Sequence, residues 1–299
     1  MMQEKTLLKI AGRVRPLSPA ANLRRMAYEE GGGFYDAWRI ADGPEAYLLK
    51  AAGENELTVY RRLGNRLDAL PRCFGTTTYR NKTYILLEFV EGHDLMRCTR
   101  ADLTRVLDAM IALQDAYWDT KMRLGRSVSR TLPRLRKRRA YLNEPELREA
   151  YDRFLALYPT LPRTLCHDDL LPFNLIVSGE RAVFIDWEEA GVLPYPAMLS
   201  RLLFHGTEHG ETPFFMTAAD KAFALEYYYD RFIASKGVPR PDYDRAMALF
   251  RFFELTEWVY VYRKYGRKPD ALFEYYYKEL LEARTLFRPG VILSAAKDI

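Results

Sequence analysis

One stretch of this 299-residue chain constrains the rest: Leu165 to Gly191, LCHDDLLPFNLIVSGERAVFIDWEEAG. Two short apolar runs, Leu175-Ile176-Val177 and Ala182-Val183-Phe184-Ile185, flank the turn residues Ser178-Gly179-Glu180. That pattern predicts a β-hairpin. A hairpin brings its open ends together, so Asn174 and Asp186 are expected side by side. Asp169 lies on the loop that leads in, two residues after His167 and five before Asn174. Two oxygen ligands at one spot suit Mg²⁺, a hard cation that takes one or two carboxylates and completes its shell with substrate phosphates. Asp169 is then placed to accept a proton from an attacking hydroxyl. The layout points to phosphoryl transfer.

The formal charge of +5 permits anionic ligands such as nucleotides without calling for nucleic acid. The cysteines are Cys73, Cys98 and Cys166, too few and too scattered for a disulfide framework or a CxxC metal site. Cys166 is expected to be a packed thiol. No stretch approaches the roughly 18 apolar residues of a membrane span, and the N-terminus has no sustained apolar region, so a cytoplasmic location is expected.

The N-terminal third reads as strands. A short helix is expected around Leu23 to Glu30. The triplet Gly31-Gly32-Gly33 then precedes Phe34 to Ile40, a turn at Asp42-Gly43-Pro44, and Ala46 to Lys50. Glycines there would let the backbone approach a phosphate. Lys50 ends an apolar strand and is a candidate phosphate-binding cation. Glu54-Asn55-Glu56 opens a helical pattern through Leu57, Tyr60, Leu63 and Leu67, and Glu56 or Glu54 is expected to brace Lys50. A second antiparallel pair, Thr76–Arg80 and Thr83–Leu87, runs into Glu88-Phe89-Val90. There the sequence turns helix-rich, so residues 1–90 are assigned to one lobe and 91–299 to a second. The linker backbone is expected to bond a nucleobase edge.

Helices are predicted over Asp102–Thr120, Glu146–Leu157, Lys221–Ser235, Asp242–Tyr265 and Ala271–Leu286. Between the first two lies a basic segment, 121–139, with nine Lys or Arg and no acid. It reads as a solvated face or as a contact for an anionic substrate, partner or membrane surface. Leu193-Pro194-Tyr195-Pro196 is expected to be a rigid connector. The tail from Pro289 is expected to fray.

The loop His167-Asp168-Asp169 to Asn174 resembles the HxDxxxxN pattern of aminoglycoside phosphotransferases and choline kinases. Phe184-Ile185-Asp186-Trp187-Glu188 is similar to the metal-binding strand end of that family, and Leu86–Gly92 to its interlobe linker. The resemblance covers residues of about 30 to 200. It implies an α+β, protein-kinase-like bilobal fold, with a small antiparallel-sheet lobe, a larger helical lobe and the nucleotide between them. It implies Asp169 as catalytic base and Asn174 and Asp186 as Mg²⁺ ligands. Lys50, braced by Glu56, would hold the phosphates of ATP (or GTP) under Gly31, Gly32 and Gly33. Glu88, Phe89 and Val90 would meet the base, and His167 would be structural. The chain departs from the family at Asp168, where relatives carry Gly or Asn, at Gln114, and in Pro196–Arg201, which lacks a further acid.

These features imply a small-molecule kinase whose partners are a nucleotide and an acceptor alcohol. The alternative is a kinase-fold nucleotide-binding protein with little turnover, acting in an assembly. The absence of an A-P-E-like anchor after Asp186 argues against a protein kinase. Trp187, Glu188 and Glu189 are the nearest candidates for acceptor recognition. Glu208, Glu254, Glu257, Trp258 and Tyr262 could complete a site for a cationic acceptor. The basic segment points instead to an anionic or neutral, sugar-like one.

Overall fold

The computed structural model describes residues 3–27, 34–204 and 216–284. The glycine triplet 31–33, Glu208 and the tail from Pro289 lie outside the described residues. The first part is a five-stranded antiparallel sheet. Its strands are β1 (Asn22–Ala27), β2 (Phe34–Asp42), β3 (Glu45–Ala51), β4 (Cys73–Tyr79) and β5 (Lys82–Glu88), in the order β1-β2-β3-β5-β4. Alternation sorts the side chains of β5 between two faces. Ile85 and Leu87 join the large core that includes helix α2 (Glu54–Leu63), whereas Tyr84 and Leu86 join a smaller cluster.

That smaller cluster is covered by α1 (Glu4–Gly12), a helix whose Leu7, Ile10 and Ala11 are buried against the sheet. Of the short helix expected at 23–30, the described residues 23–27 are instead part of strand β1; 28–30 lie outside the described residues. Leu23 pairs with Ile40 and Arg25 with Trp38, and the Arg25 guanidinium lies over the rings of Phe34 and Trp38. The open edge of β2 offered backbone partners that outweighed a weak local helical preference.

The remainder is mainly helical. α3 (Arg100–Ala116) is capped by Thr99, whose hydroxyl accepts from the Asp102 N–H at 3.2 Å. The basic segment forms β6 (Arg126–Ser127) and α4 (Val128–Arg138), and α5 (Pro145–Leu157) follows. The predicted hairpin is β8 (Leu175–Ser178) with β9 (Arg181–Phe184). A separate three-stranded sheet sets β10 (Gly191–Pro194) between β6 and β7 (Arg163–Cys166). The expected connector at Leu193–Pro196 is thus partly strand, because Leu193 and Pro194 pair with Thr164 and Arg163.

Helices α6 (Pro196–Phe204), α7 (Ala218–Tyr228), α8 (Arg240–Lys264) and α9 (Ala271–Ala283) are the remaining long helices of the described residues. The aromatic-rich C-terminus is core. Phe154 stacks on Phe253 at 4.7 Å and Trp258 on Tyr276 at 4.4 Å between ring centroids. Cys166 is buried and free, its thiol pushed up to about 12 by burial, in keeping with a packed thiol.

The linker docks on the hairpin. The His93 N–H donates to Val177 O at 3.1 Å and the Val177 N–H to His93 O at 2.8 Å. Gly92 permits this approach, since a Cβ there would lie 2.2 Å from Val177 O. Gly92→Ala is therefore expected to lower stability by about 1–3 kcal/mol through overpacking. Gly12→Ala, with nothing within 4 Å of the new methyl, should be neutral or slightly stabilising. Urea melts of both variants check the pair.

Candidate active site

Lys50 sits at the centre of the cleft between sheet and helices. Pairing with Ala37 and Ile85 fixes its position on β3. Its ammonium lies 3.0 Å from Glu56 Oε2 and 2.5 Å from Asp186 Oδ1, across 136 residues of sequence. Burial opposes the charge on Lys50, but Glu56 and Asp186 outweigh it and hold the ammonium above the ordinary lysine range. Glu56 is buried and makes this brace. Glu54 instead pairs with Arg61 at 2.9 Å.

The hairpin brings the other residues to the same place. The Ile185 N–H donates to Asn174 O at 2.9 Å, which sets Asn174 beside the strand end that carries Asp186. The Asn174 side-chain amide donates to Asp169 O at 2.9 Å and to Asp169 Oδ2 at 3.4 Å, leaving its oxygen for another partner. The buried His167 ring bonds Ile185 O through Nε2 at 2.7 Å, and burial pushes its pKa down. A neutral imidazole with Nε2–H as donor fits that contact and ties the loop to the hairpin. Asn174 Oδ1 and the Asp186 carboxylate are hard oxygens of the type Mg²⁺ uses alongside phosphates. Among the described residues no group of three His, Cys, Asp or Glu side chains could hold a metal by itself.

Two residues here adopt left-handed backbone, Asp168 at φ 60° and Asp186 at φ 64°. Asp, Asn and Gly tolerate that region best, which suits an aspartate to position 168. Asp168 Oδ2 accepts from Arg126 at 3.0 Å. Burial nevertheless raises its pKa to about 6, with Arg126 and Arg201 pulling the other way.

Sequence reasoning missed Asn55, Arg126 and Arg201. The Asn55 amide donates to Glu188 O at 2.7 Å and Ala190 O at 2.9 Å, and its oxygen accepts the Gly125 N–H at 2.6 Å. One side chain at the start of α2 thus holds two loops of the helical part. A Cβ on Gly125 would lie 2.3 Å from Asn55 Oδ1. Arg201, at the end of the segment 196–201 noted for lacking a further acid, reaches Glu254 at 3.0 Å and Asp169 at 3.9 Å. None of these contacts has a sequence signature, because each joins segments far apart in the chain.

At the linker, the N–H groups of Glu88 and Phe89 are taken by Arg72 O at 2.8 Å and Ala46 O at 3.1 Å. The Val90 N–H has no partner among the described residues. The Glu88 carboxylate is held by Arg181 at 3.0 Å, and Phe89 lies under the Arg39 guanidinium at 4.8 Å. A surface cavity follows this linker, bounded by Gly43 to Ala46 and by Ser178.

Among the described residues the expected aromatic and acidic acceptor box is not assembled. Trp187 is fully buried, and its indole N–H donates to Phe184 O at 2.7 Å. Trp258 stacks on Tyr276, and the Tyr262 hydroxyl bonds Asp270 at 2.8 Å. Glu254 and Glu257 are buried against Arg201 and Arg138. Glu188 is exposed beside Gly53, on the Lys50 side of the cleft, and Glu189 pairs with Arg126.

Residues 30–231 match the family described as the phosphotransferase enzyme family. The fold is similar to an aminoglycoside phosphotransferase from Alicyclobacillus acidocaldarius, with TM-score 0.63, 16% identity and coverage of 96% of this chain and 94% of that one. It is also similar to a choline kinase from Cryptosporidium parvum, with TM-score 0.63, 12% identity and coverage of 94% and 95%. A third likeness is a thermostable mutant aminoglycoside phosphotransferase in ternary complex with ADP and hygromycin B, with TM-score 0.55, 15% identity and coverage of 94% and 95%. No curated protein matches the sequence. At these identities the structural likenesses establish the protein-kinase-like α+β fold.

The raised Asp168 pKa gives a signed pH dependence. Its folded value near 6 lies above the ordinary carboxylate value of about 3.9. The folded state therefore binds the extra proton, and that advantage is full below pH ~4 and lost by pH ~6.5. The melting temperature of Asp168→Asn, relative to the unsubstituted protein, should rise from pH 4 to 6.5 and then level. A flat difference curve counts against a raised Asp168.

Proposed function

The chain belongs to the phosphotransferase enzyme family, and on that premise we propose that it moves the γ-phosphate of ATP, or GTP, to a hydroxyl of a small molecule. The observation that carries the reading is the meeting of Lys50, Glu56 and Asp186 opposite the loop that carries Asp169 and Asn174. Lys50, held charged by two acids, would contact the nucleotide phosphates. Residues 1–90 would form the nucleotide lobe and 91–299 the catalytic and acceptor lobe. The free Val90 N–H would bond the base. Glu88 and Phe89 would shape its edge through their contacts with Arg181 and Arg39.

Asn174 and Asp186 would hold Mg²⁺, which, when bound, neutralises phosphate charge. Asp169 would orient the acceptor hydroxyl and take its proton as the oxygen bonds to the γ-phosphorus. The bond to the bridging oxygen breaks in the same transfer, and the nucleoside diphosphate leaves. Such a reaction draws mainly on positioning and electrostatics. The Asn55 contacts serve it by setting α2, and with it Glu56, against the loops that carry Asp186 and Arg126.

Removing the base should lower turnover by about 10²–10⁴-fold. The check is phosphate transfer from ATP·Mg across a panel of alcohols, for unsubstituted protein and Asp169→Ala. Equal turnover in the two would overturn the assignment of Asp169. Mg²⁺-dependent ATP binding without transfer to any member of a broad panel would favour a nucleotide-binding protein instead. Glu56→Gln leaves the Lys50 ammonium in the cleft with only Asp186. It should cost about 3–5 kcal/mol of stability as a broken buried pair, read by urea melts, and weaken ATP affinity.

A further inference from the structure

Near Asp169 a narrow cavity opens between α4, α6 and α8. Arg126, Arg134, Arg138 and Arg201 line it, with Asp168, Glu254 and Thr131. Arg201 links it to the catalytic loop, lying 3.9 Å from Asp169 Oδ1. The acids are already matched. Asp168 bonds Arg126 at 3.0 Å and Glu254 bonds Arg201 at 3.0 Å. Behind the lining, Glu189 and Glu257 contact Arg126 and Arg138.

Two features remain unmatched. Arg134 is exposed at the mouth and has no acidic partner among the described residues. One turn from Arg138 on α4, it adds like charge beside Arg126, whose guanidinium is pushed down by burial and, against the pull of Asp168, by Arg134 and Arg138. The second is the Thr131 hydroxyl, which is buried, 7% exposed, lines the same cavity and has no hydrogen-bond partner among the described residues. Buried polar groups are normally satisfied. An anionic oxygen would accept from Thr131 and offset the crowded guanidiniums, whose planar forks match carboxylate and phosphate. A cation there would meet four arginines.

We infer that the phosphate acceptor is an alcohol carrying an anionic group, carboxylate or phosphate. That group docks on Arg134 and Thr131 with its hydroxyl turned to Asp169. The inference rests on the phosphotransferase reading and names the substrate class of that site.

The test fills the nucleotide site with AMP-PNP and Mg²⁺, then titrates in inorganic phosphate and, separately, acetate, followed by calorimetry. Saturable single-site binding is expected, weakened about tenfold or more by Arg134→Glu and also weakened by Thr131→Val, which keeps the side-chain shape. Binding of phosphate alone assigns a phosphorylated acceptor, and binding of acetate alone a hydroxy acid. A second arm compares ATP-dependent transfer to glycerol 3-phosphate, glycerate, glycerol and ethanolamine, with the anionic alcohols expected to lead in kcat/KM. No saturable anion binding, or binding indifferent to Arg134→Glu, overturns the inference. If glycerol or ethanolamine is nonetheless phosphorylated, the kinase reading survives that failure. Anion binding intact with no Asp169-dependent transfer sinks the kinase reading and the acceptor assignment with it, and leaves only an anion site.

Discussion

The site depends on one ammonium shared between two carboxylates. Lys50 belongs to the sheet, Glu56 to the helix behind it and Asp186 to the hairpin of the helical part, so their contacts tie three segments to one point. Burial makes the arrangement costly for each charge taken alone, and mutual pairing makes it tenable. Glu56 is nearly inaccessible, whereas Asp186 is 45% exposed. Water therefore screens Lys50–Asp186 more than Lys50–Glu56. The lysine is anchored on its own lobe and held more lightly across the cleft, which is the bond an arriving phosphate group has to compete with.

Around that point the fold supplies rigid backbone. The hairpin brings Asn174 to Ile185, the His167 ring bonds the same strand end, and Trp187 fills the space beneath with its indole N–H satisfied. A tryptophan beside a metal-binding aspartate suggests ligand contact when read as sequence. In the folded chain it is support, because its ring is buried and its only polar atom is used locally.

The hairpin, the strands from Phe34 to Leu87 and the main helices were legible in the sequence, since each follows a period of 2 or 3.6 in its apolar residues. The spacing of Asp169, Asn174 and Asp186 was legible for the same reason, as a hairpin alone closes it. The choice of Glu56 over Glu54 was not, because neighbouring helical positions point to different sides and the sequence does not say which faces the sheet. Strand β1 was illegible because an edge strand takes its identity from its partner. Asn55, Arg126 and Arg201 act on groups distant in sequence, and nothing local marks them. The basic segment showed its charge but not its direction. In the structure Arg126, Arg138 and Arg139 pair with acids and Arg130 with a backbone oxygen, and among the remaining arginines Arg134 is set apart by lining the cavity beside Asp168.

The Asn55 amide joins the lobes without using any charge. Its three partners are backbone groups, two carbonyls and one N–H, so the joint carries no counterion and is insensitive to ionic strength. The Lys50–Asp186 contact crosses the same cleft by charge and is partly exposed to solvent. Raising salt would thus weaken the Lys50–Asp186 contact and spare the hydrogen bonds of Asn55.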